Sequence, residues 1–221
     1  MTWVKICGMT NLEDALVAVD AGADAVGFVF YEKSPRYVTV ERAREICEKL
    51  PDAIEKVGVF VNERENVICS VVDEVGITGA QMHGDDEDPH VADLVVARRP
   101  QVKVLAAISM NRPNPQGWAM MWHPDAVRMF LIDSGSSSKL GGTGQAFDWG
   151  AAVPVLHDIK KLGMVVAAGG LTPANVSEAM EILKPWGVDV VSGVEASPGR
   201  KDPEKVRAFV RAVREMDRRV G

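Results

Sequence analysis

Short apolar runs alternate with stretches whose apolar residues recur every three or four positions, and the alternation persists along the chain. Val4-Lys5-Ile6-Cys7 predicts a first strand, and Gly8 turns it. Thr10 with Glu13 fits a capping box, and Leu12, Ala15, Leu16 and Val19 then share one helical face until Gly22 stops it. The same reading predicts strands at 25–30, 56–61, 79–82, 102–108, 129–132, 165–168 and 188–191. Helices are predicted between them at 39–50, 66–75, 89–98, 116–122, 149–162 and 173–184, and a last one from Asp202-Pro203 carries Val206, Phe209, Val210 and Val213 at core spacing. The segment 111–124 holds three prolines, so its helix must be short.

Continuous Val/Ile-rich strands joined by helices imply a parallel sheet covered by helices. Eight such units close a (β/α)8 TIM-type barrel, read here as an α/β fold of one domain over residues 1–221. An open doubly wound sheet is the alternative. Composition agrees with either: 47% of the 221 residues are hydrophobic and 25% charged.

A formal charge of −6 argues against nucleic acid as a partner. No run approaches the roughly 20 apolar residues of a membrane span, and the opening lacks a signal-peptide layout. Three cysteines without close pairing point to the cytoplasm. No metal-ligand spacing stands out, and no cofactor is expected.

A parallel barrel places its chemistry at the C-terminal ends of its strands. Gly169-Gly170 follows strand seven, with Thr172 as a cap and Pro173 in the first turn of the next helix, an arrangement suited to an anion. Ser192-Gly193 after strand eight is a second tight turn, and loops in these two positions form the usual barrel phosphate site. Gly142, within Gly141-Gly142-Thr143-Gly144, lies in a loop that would close over the same group.

Strand alternation turns Lys5 and Cys7 to one face and Val4 and Ile6 to the other, so Lys5 and Cys7 should look into the barrel. A lysine beside a thiol favours the thiolate, a usable base or nucleophile, although a free cysteine also serves as a small buried hydrophobe. Cys47 and Cys69 lie in helical apolar stripes and are read as packing. Leu131 and Asp133 share a face, which sets a carboxyl at the barrel mouth as a general acid or a turn cap. A thiolate and a carboxylic acid across one pocket suit proton movement within a sugar phosphate. Arg36 either stays solvated or grips a substrate carboxylate through two parallel hydrogen bonds. His83 stands at the rim after strand four.

Lys5-Ile6-Cys7-Gly8, Gly27-Phe28-Val29-Phe30, Ser34-Pro35-Arg36, Gly58-Val59-Phe60-Val61 and Gln81-Met82-His83-Gly84 together resemble the phosphoribosylanthranilate isomerase family. Gly141-Gly142-Thr143-Gly144 with Phe147-Asp148-Trp149, Ala168-Gly169-Gly170-Leu171 and Ser192-Gly193-Val194-Glu195 continue the resemblance in the family's order. It implies a cofactor-independent step of tryptophan biosynthesis. In that step N-(5-phosphoribosyl)anthranilate rearranges to 1-(2-carboxyphenylamino)-1-deoxyribulose 5-phosphate.

By that resemblance Cys7 is the general base, Asp133 the general acid, and Arg36 the ligand of the anthranilate carboxylate. His83 lies near the substrate. Backbone groups at Gly142, Gly169, Gly170, Ser192 and Gly193 hold the phosphate. A monomer or homodimer acting on a small phosphorylated molecule, with neither membrane nor nucleic acid, is expected. Met9 and Met82 replace the branched aliphatics more common in the family, which keeps hydrophobic volume. Two rivals remain: the histidine-pathway isomerase, which uses two aspartates and is disfavoured by Cys7, and a non-catalytic phosphate-binding barrel.

Overall fold

A computed structural model describes residues 1–84, 88–134 and 147–220. Its strands β1 (Trp3–Cys7), β2 (Ala25–Val29), β3 (Glu55–Val61), β4 (Gly79–His83), β5 (Lys103–Ser109), β6 (Val127–Asp133), β7 (Met164–Ala167) and β8 (Gly187–Val190) form a closed parallel barrel. Closure rests on β1 pairing with β8, Lys5 opposite Asp189, which excludes the open sheet. Helices α1 (Leu12–Asp20), α2 (Val40–Cys47), α3 (Glu65–Val75), α4 (His90–Arg98), α5 (Pro115–Ala119), α6 (Trp149–Ile159), α7 (Val176–Leu183) and α8 (Pro203–Val220) each follow a strand.

The alternation along the strands separates two apolar layers. Outward residues such as Val4, Ile6, Val26, Phe28, Ile132 and Val188 pack under the helices. Inward residues Trp3, Ala25, Val57, Leu105, Met129, Leu131 and Val166 fill the barrel. Lys5 and Asp133 are buried on the inward side of the same strands, as the parity argument requires. Cys47 and Cys69 pack in the outer layer, and Val206, Phe209, Val210 and Val213 are fully buried or nearly so.

Two capping expectations fail for a shared reason: a competing partner lies nearby. Asn11, not Thr10, caps α1 through the Asp14 N–H at 2.9 Å, because the Thr10 hydroxyl donates to the Gly199 carbonyl instead. Thr172 does not cap α7. Asn175 Oδ1 accepts from the Thr172 N–H at 2.7 Å while Asn175 Nδ2 donates to the Gly170 carbonyl, so this turn occupies 170–175 and the helix starts at Val176. Between β8 and α8 the chain also forms a 3₁₀ turn (Ser192–Val194) and an unforeseen hairpin, β9 (Glu195–Ser197) with β10 (Arg200–Lys201).

Among the described residues no helix is long and apolar enough to cross a membrane, and no group of three His, Cys, Asp or Glu side chains is arranged to hold a metal.

Candidate active site

Cys7, Arg36, His83, Asp133, Gly169, Gly170 and Ser192 line one cleft at the C-terminal mouth of the barrel. Gly193 lies behind that wall, and a Cβ there would overlap the Leu171 carbonyl oxygen, so the turns after β7 and β8 are in backbone contact. Gly142 and the rest of its loop lie outside the described residues.

β1 ends at Cys7, and the chain turns at once, because the N–H groups of Gly8 and Met9 both donate to the Gly27 carbonyl. Gly8 sits at φ +83°, which a glycine adopts without strain. On the neighbouring strand a Cβ at Gly27 would stand 2.5 Å from the Cys7 sulfur, so this glycine leaves the thiol its space. Gly27→Ala is therefore expected to displace the thiol, costing about 1–3 kcal/mol of stability by overpacking. Turnover should fall at least about ten-fold, since proton transfer needs close contact. Steady-state kinetics beside a melting curve check this, and an unchanged kcat would contradict the placement.

Across the mouth, β6 carries Asp133. Gly169 at φ +74° follows β7 beside it, and a Cβ there would reach 2.5 Å from Asp133 Oδ1. No hydrogen bond among the described residues uses the N–H of Gly169 or of Gly170. The turn after β7 is thus built by two left-handed glycines, and α7 begins only at Val176.

Below Cys7 the barrel interior holds a charge cluster. The Lys5 ammonium is fully buried and donates to Gln81 Oε1 and Asp189 Oδ1, each at 2.9 Å. Burial depresses the Lys5 pKa, but the charges of Asp189 and Cys7 outweigh it and leave it raised.

Lys5 does not, however, turn Cys7 into a ready thiolate, as its proximity in sequence suggested. Burial is the largest influence on the thiol and pushes it up, Asp189 adds to this, and Lys5 and Lys201 only partly oppose it.

Arg36 is not left solvated. A turn over 31–37, with the Arg36 N–H bonded to Ser34 Oγ, carries it into the cleft wall. Its guanidinium is bound side-on by Glu195, Nε to Oε1 at 2.9 Å and Nη2 to Oε2 at 2.8 Å. Glu195 itself is buried. Burial pushes its carboxyl up, but Arg36 and Lys201 together hold it below the usual range.

Glu195, Asp189 and Gln81 are the residues that sequence reading did not select. Asp189 and Gln81 had a signal, as polar residues at inward positions of buried strands. Glu195 stood only as the last residue of the motif Ser192-Gly193-Val194-Glu195, in a segment after β8 without periodicity to aim its side chain.

A thiol and a carboxyl lining one cleft at the mouth of a closed parallel barrel, with an arginine and two glycine-lined turns around them, make a layout that suits a barrel isomerase. A family model described as N-(5'phosphoribosyl)anthranilate (PRA) isomerase matches residues 4–212. The N-(5'-phosphoribosyl)anthranilate isomerase of Geobacter sp. (strain M21) is 46% identical, covering 98% of this chain and all of that protein. Phosphoribosyl anthranilate isomerase from Thermotoga maritima superposes with a TM-score of 0.86 at 38% identity, over 97% of this chain and all of that one.

A phosphoribosyl anthranilate isomerase crystallised with reduced 1-(o-carboxyphenylamino)-1-deoxyribulose 5-phosphate matches with a TM-score of 0.81 at 36% identity over 97% of this chain and all of that one. The chain belongs to the phosphoribosylanthranilate isomerase family, and it is an aldose–ketose isomerase of tryptophan biosynthesis.

Proposed function

We propose that this cleft carries out the rearrangement of N-(5-phosphoribosyl)anthranilate with Asp133 as general acid and Cys7 as general base. Asp133 protonates the furanose ring oxygen as the C1–O bond breaks, and the anilino nitrogen's lone pair forms the protonated Schiff base. The Cys7 thiolate then takes the proton from C2, whose electrons move toward the iminium to give an enolamine. A proton added at C1 and one lost from the C2 hydroxyl yield the ketone. The proton gained by the thiol and the one given by the carboxyl cancel, so no cofactor is consumed. The observation that carries this reading is that Cys7 and Asp133, from β1 and β6, share one cleft.

Arg36 receives the anthranilate carboxylate, and the backbone at Gly169, Gly170, Ser192, Gly193 and Gly142 receives the phosphate. A solved relative carries a reduced product bearing both groups. His83 lies in the same cleft wall and touches the substrate. Residues 1–221 act as one isomerase unit, as a monomer or homodimer; one solved relative is described as dimeric. Three free cysteines fit action in the cytoplasm. The test is a turnover assay with phosphoribosylanthranilate beside the histidine-pathway aminoaldose. Isomerisation of the first alone is expected, and phosphate binding without isomerisation of either would return the chain to a binding barrel.

A further inference from the structure

We propose that Glu195 is a positioning residue for carboxylate recognition: by closing the side-on edge of Arg36 it leaves only the end-on edge, Nη1 with the second Nη2 hydrogen, to meet the substrate. This rests on the reading of Arg36 as the carboxylate ligand.

A guanidinium has five N–H donors in a planar fork. Glu195 takes one on Nε and one on Nη2, which leaves two on Nη1 and one on Nη2. Those three include a second parallel pair, at the far end of the plane, that matches a carboxylate. Arg36 lines the cleft, so a bound carboxylate meets that pair without displacing Glu195.

Glu195 is itself held from three directions. Besides Arg36, its Oε1 accepts from the Gly199 N–H at 3.2 Å and from Lys201 Nζ at 3.2 Å, and Lys201 Nζ also donates to the Val191 carbonyl. The β9–β10 hairpin therefore fixes the carboxylate, and the carboxylate fixes the arginine plane. The stem of Arg36 passes close to the residue following Cys7, since a Cβ at Gly8 would stand 3.0 Å from its Cδ.

Charge and positioning predict opposite signs for Glu195→Gln. Removing a negative charge beside Arg36 would by itself tighten binding of an anion, whereas releasing the plane weakens it. The probes are the reduced product 1-(2-carboxyphenylamino)-1-deoxyribitol 5-phosphate and its phenylamino counterpart without the carboxylate, titrated calorimetrically. In Glu195→Gln the preference for the carboxylate-bearing probe should fall about ten-fold, the scale of one lost charge-assisted hydrogen bond, with the phenylamino probe unchanged. An unchanged or increased preference overturns the proposal, as does an equal loss for both probes, which marks a purely structural role.

Arg36→Ala separates the premise from the inference. If that variant keeps the carboxylate preference, Arg36 is not the ligand and the underlying reading fails first. A measurement on the unmodified chain covers poor folding of Glu195→Gln. In arginine ¹⁵N spectra, the Arg36 Nε–H signal should stay in place when the carboxylate probe binds, while the Nη signals shift. Movement of Nε–H with the Nη groups means the substrate displaces Glu195, and the proposal falls.

Discussion

Cys7→Ala and Asp133→Asn are each expected to lower kcat by about 10²- to 10⁴-fold, the usual worth of a positioned proton-transfer group. Alanine has no basic atom, and a side-chain amide cannot give up a proton as a carboxylic acid does. Cys7 sits on a strand end and Asp133 at the cleft wall, so far-ultraviolet circular dichroism should be unchanged for both variants. The double variant should be little worse than either single one, because the two groups act on one reaction path. A single variant that retains turnover within about ten-fold of wild type would remove that residue from the mechanism.

The raised Cys7 pKa adds a pH signature to the same experiment. A base works in its deprotonated form, and burial holds this thiol above its usual value of 9.0. In the free enzyme, which kcat/KM reports, the thiolate fraction should therefore keep rising through the neutral and mildly alkaline range. A plateau already reached below neutrality would show that Lys5 and Lys201 prevail over burial after all.

Lys5→Met is expected to be the most destabilising single change in the barrel interior, by about 3–5 kcal/mol, because it leaves the Asp189 carboxylate buried without its ion partner. For a chain of this length that corresponds to a Tm lower by on the order of 10 °C. Lys5 is held above its usual value of 10.5, so its contribution is fully present below that pH and is lost only as pH rises through the folded-state value. Neutral buffer is thus the right condition for the measurement. Adding Asp189→Leu should recover much of the loss, since an apolar pair can replace a buried ion pair. A loss below about 1 kcal/mol in Lys5→Met, or no recovery in the double variant, would show that water reaches and screens Asp189 from the cleft.

Much of the fold was legible because its signals are local. Parallel barrel strands are buried on both faces and read as apolar runs, and each helix carries its own period. The period-two alternation of β1 and β6 was enough to turn Lys5, Cys7 and Asp133 inward. The helix starts were less legible. Thr10 and Thr172 have the right chemistry for caps, yet the Thr10 hydroxyl goes to Gly199, 189 positions away, and Asn175, three positions on, forms a turn with the Thr172 N–H before the helix begins.

By itself, the sequence determined the alternation of strands and helices, the parity that aims a thiol and a carboxyl at one rim, and the glycine turns beside them. Each of these depends on residues within a few positions of one another. Only the tertiary structure decided which charges meet: Lys5 with Asp189, 184 positions away, and Arg36 with Glu195, 159 positions away. It also set the net direction for Cys7, where burial outweighs the lysine that still favours the thiolate, because desolvation depends on everything packed around the sulfur, whereas the sequence displays only the lysine two residues before it.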